Sequence, residues 1–234
     1  VEKAPGAPQS AKTRTLEAGA QVMQSLPPLE EIEIYLVGFH PMRDDPSKQM
    51  ESHHYCHQVN EDFAQCVLYD GNTADARLHG IEYIISERLF EGLPPEERQY
   101  WHPHNYEILS GQLLAPGIPE VAEKELMRTK MNSYGKTWHV WETGVWGREG
   151  TPLPYGDPHL AWSFNRDGEA APGMVEDRNR RMGIDMRVKR ERRSDLSRLA
   201  RPQEGVNRLK DVFPNAGDAP PGVADRGPAP ALPR

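Results

Sequence analysis

Two cysteines, no long apolar run and no surplus of positive charge set the first limits on this 234-residue chain. No stretch approaches the roughly 18 to 20 apolar residues that a membrane-spanning helix needs, so no transmembrane segment is expected and a soluble or surface-associated chain is. A net charge of −7 argues against general nucleic-acid binding, which calls for a basic patch. Cys56 and Cys66 are too few for a disulfide framework. They read as two buried thiols, as one disulfide or as metal or redox groups, and the sequence leaves all three open. There is no Walker loop, no G-x-G-x-x-G and no G-x-S-x-G, which removes the commonest nucleotide-binding and hydrolase signatures. No internal repeat of useful length is found. The first residue is Val1 rather than methionine. The cytoplasm is favoured as compartment, and the periplasm is the alternative in the case of a processed N-terminus.

Proline, by contrast, is plentiful at 22 residues and marks both ends. Residues 1–27 read as an extended tail with a short helix over 15–25. An ordered α+β core is expected over 28–165. In "LEEIEIYLVGFH", Ile32, Ile34 and Leu36 alternate with polar or half-polar neighbours, as in a strand with one buried face. "DDPSKQ" is a turn. "FAQCVLYDG" and "RLHGIEYIIS" are further strands, and the second places Glu82 among apolar neighbours as a buried acceptor for an Arg, Lys or His. "LPPEERQYW" opens a helix, since proline followed by acids suits a first turn. "NYEILSGQLLAP" reads as a strand. "IPEVAEKELMRTKMNSYGK" is the strongest helix, with Ala122, Leu126, Met127 and Met131 on neighbouring ridges and Gly135 as its stop. "KTWHVWE" is a short aromatic strand. The result is a mostly antiparallel sheet with packed helices and irregular Pro-rich termini. Residues 166–210 form an Arg-rich helical arm, expected to be exposed. Residues 211–234 are Pro/Gly-rich and expected to be disordered.

The chemistry concentrates in "MESHHYCHQ" and "WHPHNYE". Read as a helix, the first puts His53 and His57 on one face at i and i+4 beside Cys56. Read as extended, the second points His102 and His104 the same way. Two imidazoles from each of two elements make a tetrahedral or open metal site, so His53, His54, His57, His102 and His104 are the candidate ligands for a divalent transition metal such as zinc. Hydrogen bonding of the same histidines to backbone is the plainer alternative. His-x-His before a glutamate also resembles the cupin pattern, although Glu107 on a regular strand would face away from both rings. Cys56 has histidines on both sides, but nothing in the flanking sequence supports a nucleophile. The tryptophans of "TWHVWETGVWGREGTPLPYGDPHLAWSF" read as core and edge packing or as an apolar contact surface.

Together "ESHHYCHQVNEDFAQCVLYDG", "ARLHGIEYIISERLFEGLPPEE", "WHPHNYEILSGQLLAPGIPE", "YGKTWHVWE" and "LPYGDPHLAWSF" resemble the oil body-associated protein family, over roughly residues 34–177. That family is known from plant seeds and has bacterial and fungal relatives, and the composition here fits a bacterial one. The resemblance implies a non-enzymatic protein that associates peripherally with a lipid surface or a protein partner, and it carries over no catalytic residue. The tryptophan-rich stretch and the Arg-rich arm are the expected contact surfaces. The alternative is a histidine-ligated metalloprotein, which includes a metalloenzyme. No nucleic-acid partner is expected, and the sequence does not give the oligomeric state.

Overall fold

A computed structural model describes residues 5–227. After helices α1 (Ala11–Met23) and α2 (Pro27–Glu30) the chain enters strands β1 (Ile34–Pro41), β2 (Gln49–Asn60), β3 (Phe63–Tyr69) and β4 (Leu78–Ile85). Helices α3 (Glu87–Glu91) and α4 (Pro95–Arg98), a short strand β5 (His102–Pro103), α5 (Asn105–Ser110) and α6 (Glu120–Lys130) follow. Strand β6 (Tyr134–His139), a small hairpin β7 (Gly144–Val145) and β8 (Arg148–Glu149), and β9 (His159–Leu160) lead into α7 (Met174–Met182), α8 (Met186–Arg192) and a 3-10 turn over Ser194–Arg198.

The seven-stranded sheet runs β1-β2-β3-β4-β6-β5, with β9 also on β6. Every ladder pair is antiparallel. The sheet curls into a half-barrel. Its far ends are linked: Trp162 N–H donates to the Pro41 carbonyl at 2.8 Å and Arg43 N–H to the Leu160 carbonyl at 2.8 Å. Curling draws one face of every strand together, so side chains far apart in sequence share one interior.

Strand alternation decides what enters that interior. Even-numbered residues of β1 and β2 face inward, as do the odd-numbered residues of β6. The register sets Leu36 opposite His54, Cys56 opposite Cys66, Cys66 opposite Glu82 and Glu82 opposite Thr137. Between β3 and β4 the register shifts near Leu68 and Tyr69, leaving His79 without a partner in the ladder. Such a bulge re-aims a side chain, and His79 turns inward beside Gly80 and is fully buried.

Two local readings of the sequence need correction. "NYEILS" is helix α5, not a strand, and all six of its residues are buried. A short run buried all round has no polar face to display a period, so helix and strand look alike in it. Its stop is Gly111 at φ 79°, a left-handed cap. Likewise Gly135 does not end α6. The chain turns at Asn132, φ 66°, and Gly135 lies inside β6.

The Arg-rich segment folds back onto the core instead of standing off as an exposed arm. Arg178 and Arg193 are buried, and Arg181, Lys189 and Arg190 pair with Glu51, Glu123 and Asp167. Those partners lie 23 to 130 residues away, which a local charge count does not see. Val206 and Leu209 of the same segment are buried, and beyond it Val223 is buried with Phe213 and Ala219 packed against the core, so the chain from 211 to 227 also contributes to it. The remainder of the expected disordered tail, 228–234, lies outside the described residues.

Candidate metal centre

The interior of the half-barrel is lined by imidazoles. His40 from β1, His54 from β2, His79 from β4, His102 from β5, His104 at the N-cap of α5 and His139 from β6 are all buried, with two carboxyls, Glu82 and Glu107. Glu82 sits at the centre. Its Oε1 lies 3.6 Å from His102 Nε2 and 3.3 Å from His104 Nε2, and those two nitrogens are 3.2 Å apart. Its Oε2 lies 2.8 Å from His54 Nε2 and 3.9 Å from His40 Nε2. Three ligand atoms bound at about 2.0–2.2 Å around one tetrahedral ion are separated by about 3.3 Å, which is the spacing of the Glu82, His102 and His104 atoms.

The surroundings orient these groups. His104 Nδ1 is 2.8 Å from Ser133 Oγ; with Nδ1–H donated there, Nε2 keeps its lone pair free for an ion. Gly135 stands against the triad. A Cβ at this position would come within 2.2 Å of Glu82 Oε1, 2.6 Å of His104 Nε2 and 2.7 Å of His102 Nε2. The three atoms therefore converge only because the residue opposite His102 in the ladder is glycine. His40 lies within ligand range of Glu82 and His102, and Glu107 within range of His102 and His104. A cavity of about 20 Å³ opens between His40, His54, Glu82, His104 and Glu107, room for about one water or ion.

Burial sets the charges. It pushes His102 down to about 3 and holds His40 and His139 well below the usual imidazole range, so these rings stay neutral. Burial alone would raise Glu82, but the contacts of His104 and His54 outweigh it, and the carboxyl is held well below its ordinary value. Burial and the neighbouring charge of Glu82 push Glu107 well above the ordinary carboxylate range. The Glu82 carboxylate is thus ionised among rings, with no Lys or Arg within 4.0 Å of it among the described residues. A second line of rings leads away from it. His40 Nδ1 is 3.0 Å from His139 Nε2, His139 Nδ1 is 3.2 Å from His79 Nδ1, and Ser52 Oγ is 3.1 Å from His79 Nε2.

Of the five histidines expected from the sequence, His54, His102 and His104 meet here. His53 and His57 do not. β2 is a strand, so both lie on its other face, and no helical i, i+4 pair exists. His53 sits 2.7 Å from the Tyr35 hydroxyl and 3.2 Å from Glu51, while His57 Nδ1–H donates to the Glu31 carbonyl at 2.9 Å. Sequence reading missed His40, His79 and His139 as members of the cluster. It also misplaced Glu107, which the helical turn of α5 brings back to 4.0 Å from His104 Nε2. Glu82 was legible as a buried acceptor, and its partners are histidines. Cys56 and Cys66 are joined in a disulfide between β2 and β3, with Cys66 directly opposite Glu82 in the next ladder, which leaves no free thiol for a nucleophile or ligand.

Comparison with known proteins places the chain. The family model described as "Protein of unknown function (DUF1264)" matches residues 26–197. Oil body-associated protein 1B of Arabidopsis thaliana is 36% identical over 205 residues, covering 88% of this chain and 82% of the relative. Oil body-associated protein 2A of Arabidopsis thaliana is 41% identical over 182 residues, 77% of this chain and 72% of the relative. Oil body-associated protein 1A of Zea mays is 36% identical over 208 residues, 89% and 84%. No solved structure matches the chain.

Proposed function

The chain belongs to the DUF1264 family and to that of the oil body-associated proteins, and from that premise we propose that it is a metal-binding member. In this reading Glu82 Oε1, His102 Nε2 and His104 Nε2 hold one divalent transition metal ion inside the half-barrel, with His40 or Glu107 as the fourth group. Two imidazoles and one carboxylate suit zinc, and equally the ferrous ion, which takes the same trio on one face of an octahedron. The observation that carries the reading is the Glu82–His102–His104 triangle, with sides of 3.3, 3.2 and 3.6 Å, packed against a glycine. An ionised carboxylate at 2% exposure is costly unless a positive charge compensates it, and a divalent ion supplies that charge where, among the described residues, no Lys or Arg comes within 4.0 Å. Elemental analysis of untagged protein, purified without chelator and after supply of zinc or ferrous iron, is the test. About one metal per chain is expected. A stoichiometry near zero under every supply overturns the reading.

A second reading concerns where the protein works. The relatives' names tie them to oil bodies, and for this chain we infer peripheral contact with a neutral-lipid surface. Supporting it are apolar side chains left in water at the N-terminal helices, Val22, Met23, Leu26 and Leu29, and near the β7–β8 hairpin, Trp146, Leu153 and Tyr155. Trp162 is buried and Trp138 and Trp141 are half-buried, so Trp146 is the tryptophan offered to a surface. No helix among the described residues is long and apolar enough to cross a membrane. Flotation with triglyceride emulsions tests the inference: the protein should rise with the emulsion, and a Val22→Glu, Met23→Glu variant should stay below. Equal behaviour of the two removes the N-terminal helices from the contact.

A further inference from the structure

Away from the histidine cluster, a cavity of about 940 Å³ opens between α5, α7 and α8. That is the upper range for a small-ligand pocket. One wall is apolar, built from Ala170, Ala171, Pro172, Val175 and Met186. Directly behind the wall lies Arg178, with no exposed surface at all. Its Nη1 donates to the Gln112 carbonyl at 2.8 Å and its Nε to Asn179 Oδ1 at 2.9 Å. Among the described residues Nη2 meets only the Met186 sulfur, at 3.8 Å. Gln112, Asn179 and Met186 all line the cavity.

Arg178 is unlike the other buried arginines. Arg166 has Glu169 at 3.3 Å and Arg193 has Glu123 at 3.2 Å. Among the described residues Arg178 has no carboxylate within 4.0 Å; the fields of Glu51 and Glu123 reach it from farther off, and the face of Phe39 lies 4.7 Å from its guanidinium carbon. Burial draws its pKa down to about 10, which still leaves it charged at neutral pH. A buried charge normally carries an opposite partner. Here two of five N–H groups have oxygen acceptors, and the nearest obstacle to a third is a flexible thioether. A second group beside it is also unsatisfied: Gln112 Oε1 is buried, faces no donor, and belongs to a residue that lines the same cavity.

We propose that this cavity binds a carboxylate bearing an apolar chain, with the carboxylate displacing Met186 from Arg178 and the chain lying along Ala170, Ala171 and Val175. A planar guanidinium pairs with a carboxylate through two parallel hydrogen bonds. A phosphate head group calls for more cations than remain available, because Arg190 is held by Asp167 at 2.7 Å and Arg187 lies beside Asp185 at the exposed rim. A water carried in with the head group would supply the donor that Gln112 Oε1 lacks. The site is independent of the metal centre, so it stands or falls by itself.

The test is calorimetric titration of the full chain with oleate below its micelle concentration, set against methyl oleate and acetate. Saturable one-to-one binding of oleate is expected, at least tenfold tighter than methyl oleate, with acetate not saturating. Arg178→Met should weaken oleate at least tenfold. Ala171→Trp, which fills the apolar wall from its outer side, should do the same with Arg178 intact, and it keeps the test valid where Arg178→Met does not fold. Oleate binding no tighter than methyl oleate, or unchanged in Ala171→Trp, overturns the proposal.

Discussion

His54 Nε2 lies 2.8 Å from Glu82 Oε2, reaching across β3 on the concave face of the sheet. One oxygen of Glu82 is thereby engaged, and the other is turned toward His102 and His104. Glu82→Gln keeps the size of this side chain and removes its charge. In the metal-binding reading it should lower metal content from about one per chain to below about a tenth, as should His102→Ala with His104→Ala. His53→Ala with His57→Ala should retain the full complement, because neither ring enters the interior. Elemental analysis of the three variants checks this, and equal loss in all of them would point to unfolding in place of lost ligands.

Gly135 gives an independent handle on the same geometry. Ala at this position places a methyl group 2.2 Å from Glu82 Oε1, so either the carboxylate or β6 must move. Overpacking of this kind costs about 1–3 kcal/mol. Gly135→Ala is expected to lower the urea midpoint accordingly and to abolish metal binding, while Gly147→Ala, in open space, should retain metal.

The sheet was readable because its signal is local. β3 and β4 show alternation within seven or eight residues, and Glu82 stood out as a carboxylate inside such a run. The centre was half readable. His102 and His104 share a short segment, and an extended backbone aims both one way. His40 and His139 are 99 residues apart and meet only because the sheet curls and its far ends are linked. His79 depends on a bulge, which no period reveals. α5 was misread because burial on all sides erases the pattern that separates helix from strand. The arginines at 178 and 193 looked solvated for a related reason: their acceptors are carbonyls and carboxylates from distant elements.

The Cys56–Cys66 disulfide closes a loop of 10 residues in sequence separation, between paired strands. Restricting the unfolded chain to that loop is worth about 2–3 kcal/mol in the chain-entropy account. A reductant should therefore lower unfolding stability by about that amount, and mass spectrometry should register a gain of two hydrogens. Identical urea curves with and without reductant, with the mass change present, would assign the strand pairing to other forces.

His79 should leave a signature in the pH dependence of stability. Burial depresses its folded-state pKa to about 3. In the unfolded chain it titrates near 6.5. Between these values the unfolded state holds the extra proton, so stability rises with pH in this window and is lost as pH falls below about 6.5. From pH 7 to pH 5 the term amounts to about 2 kcal/mol. Glu107, whose folded pKa is raised, acts in the opposite sense over the same range, so a comparison of variants is needed to isolate the histidine. His79→Asn measured without metal should show a smaller fall in stability than the wild type between pH 7 and pH 5, by about that 2 kcal/mol. Parallel curves would mean that His79 is protonated in the fold.

Arg193 tests whether the Arg-rich segment is part of the domain. Its Nη1 donates to the carbonyls of Ile108 at 3.0 Å and Leu113 at 2.8 Å, at the end of α5, and its Nη2 is 3.2 Å from Glu123 on α6. It therefore joins three elements from within the core. Arg193→Met fills most of the same volume but strands two carbonyls and leaves Glu123 with Lys189 as its one remaining cation. Breaking a buried pair from one side costs about 3–5 kcal/mol. Arg180, by contrast, is exposed and among the described residues pairs only with Asp177 on its own helix, an arrangement water screens. Arg180→Met should leave the urea midpoint within experimental error. If Arg193→Met were equally silent, the segment would be an appendage laid against a core that does not need it, and the chain without it would fold; a large loss confined to Arg193 makes it a packed layer of the same domain.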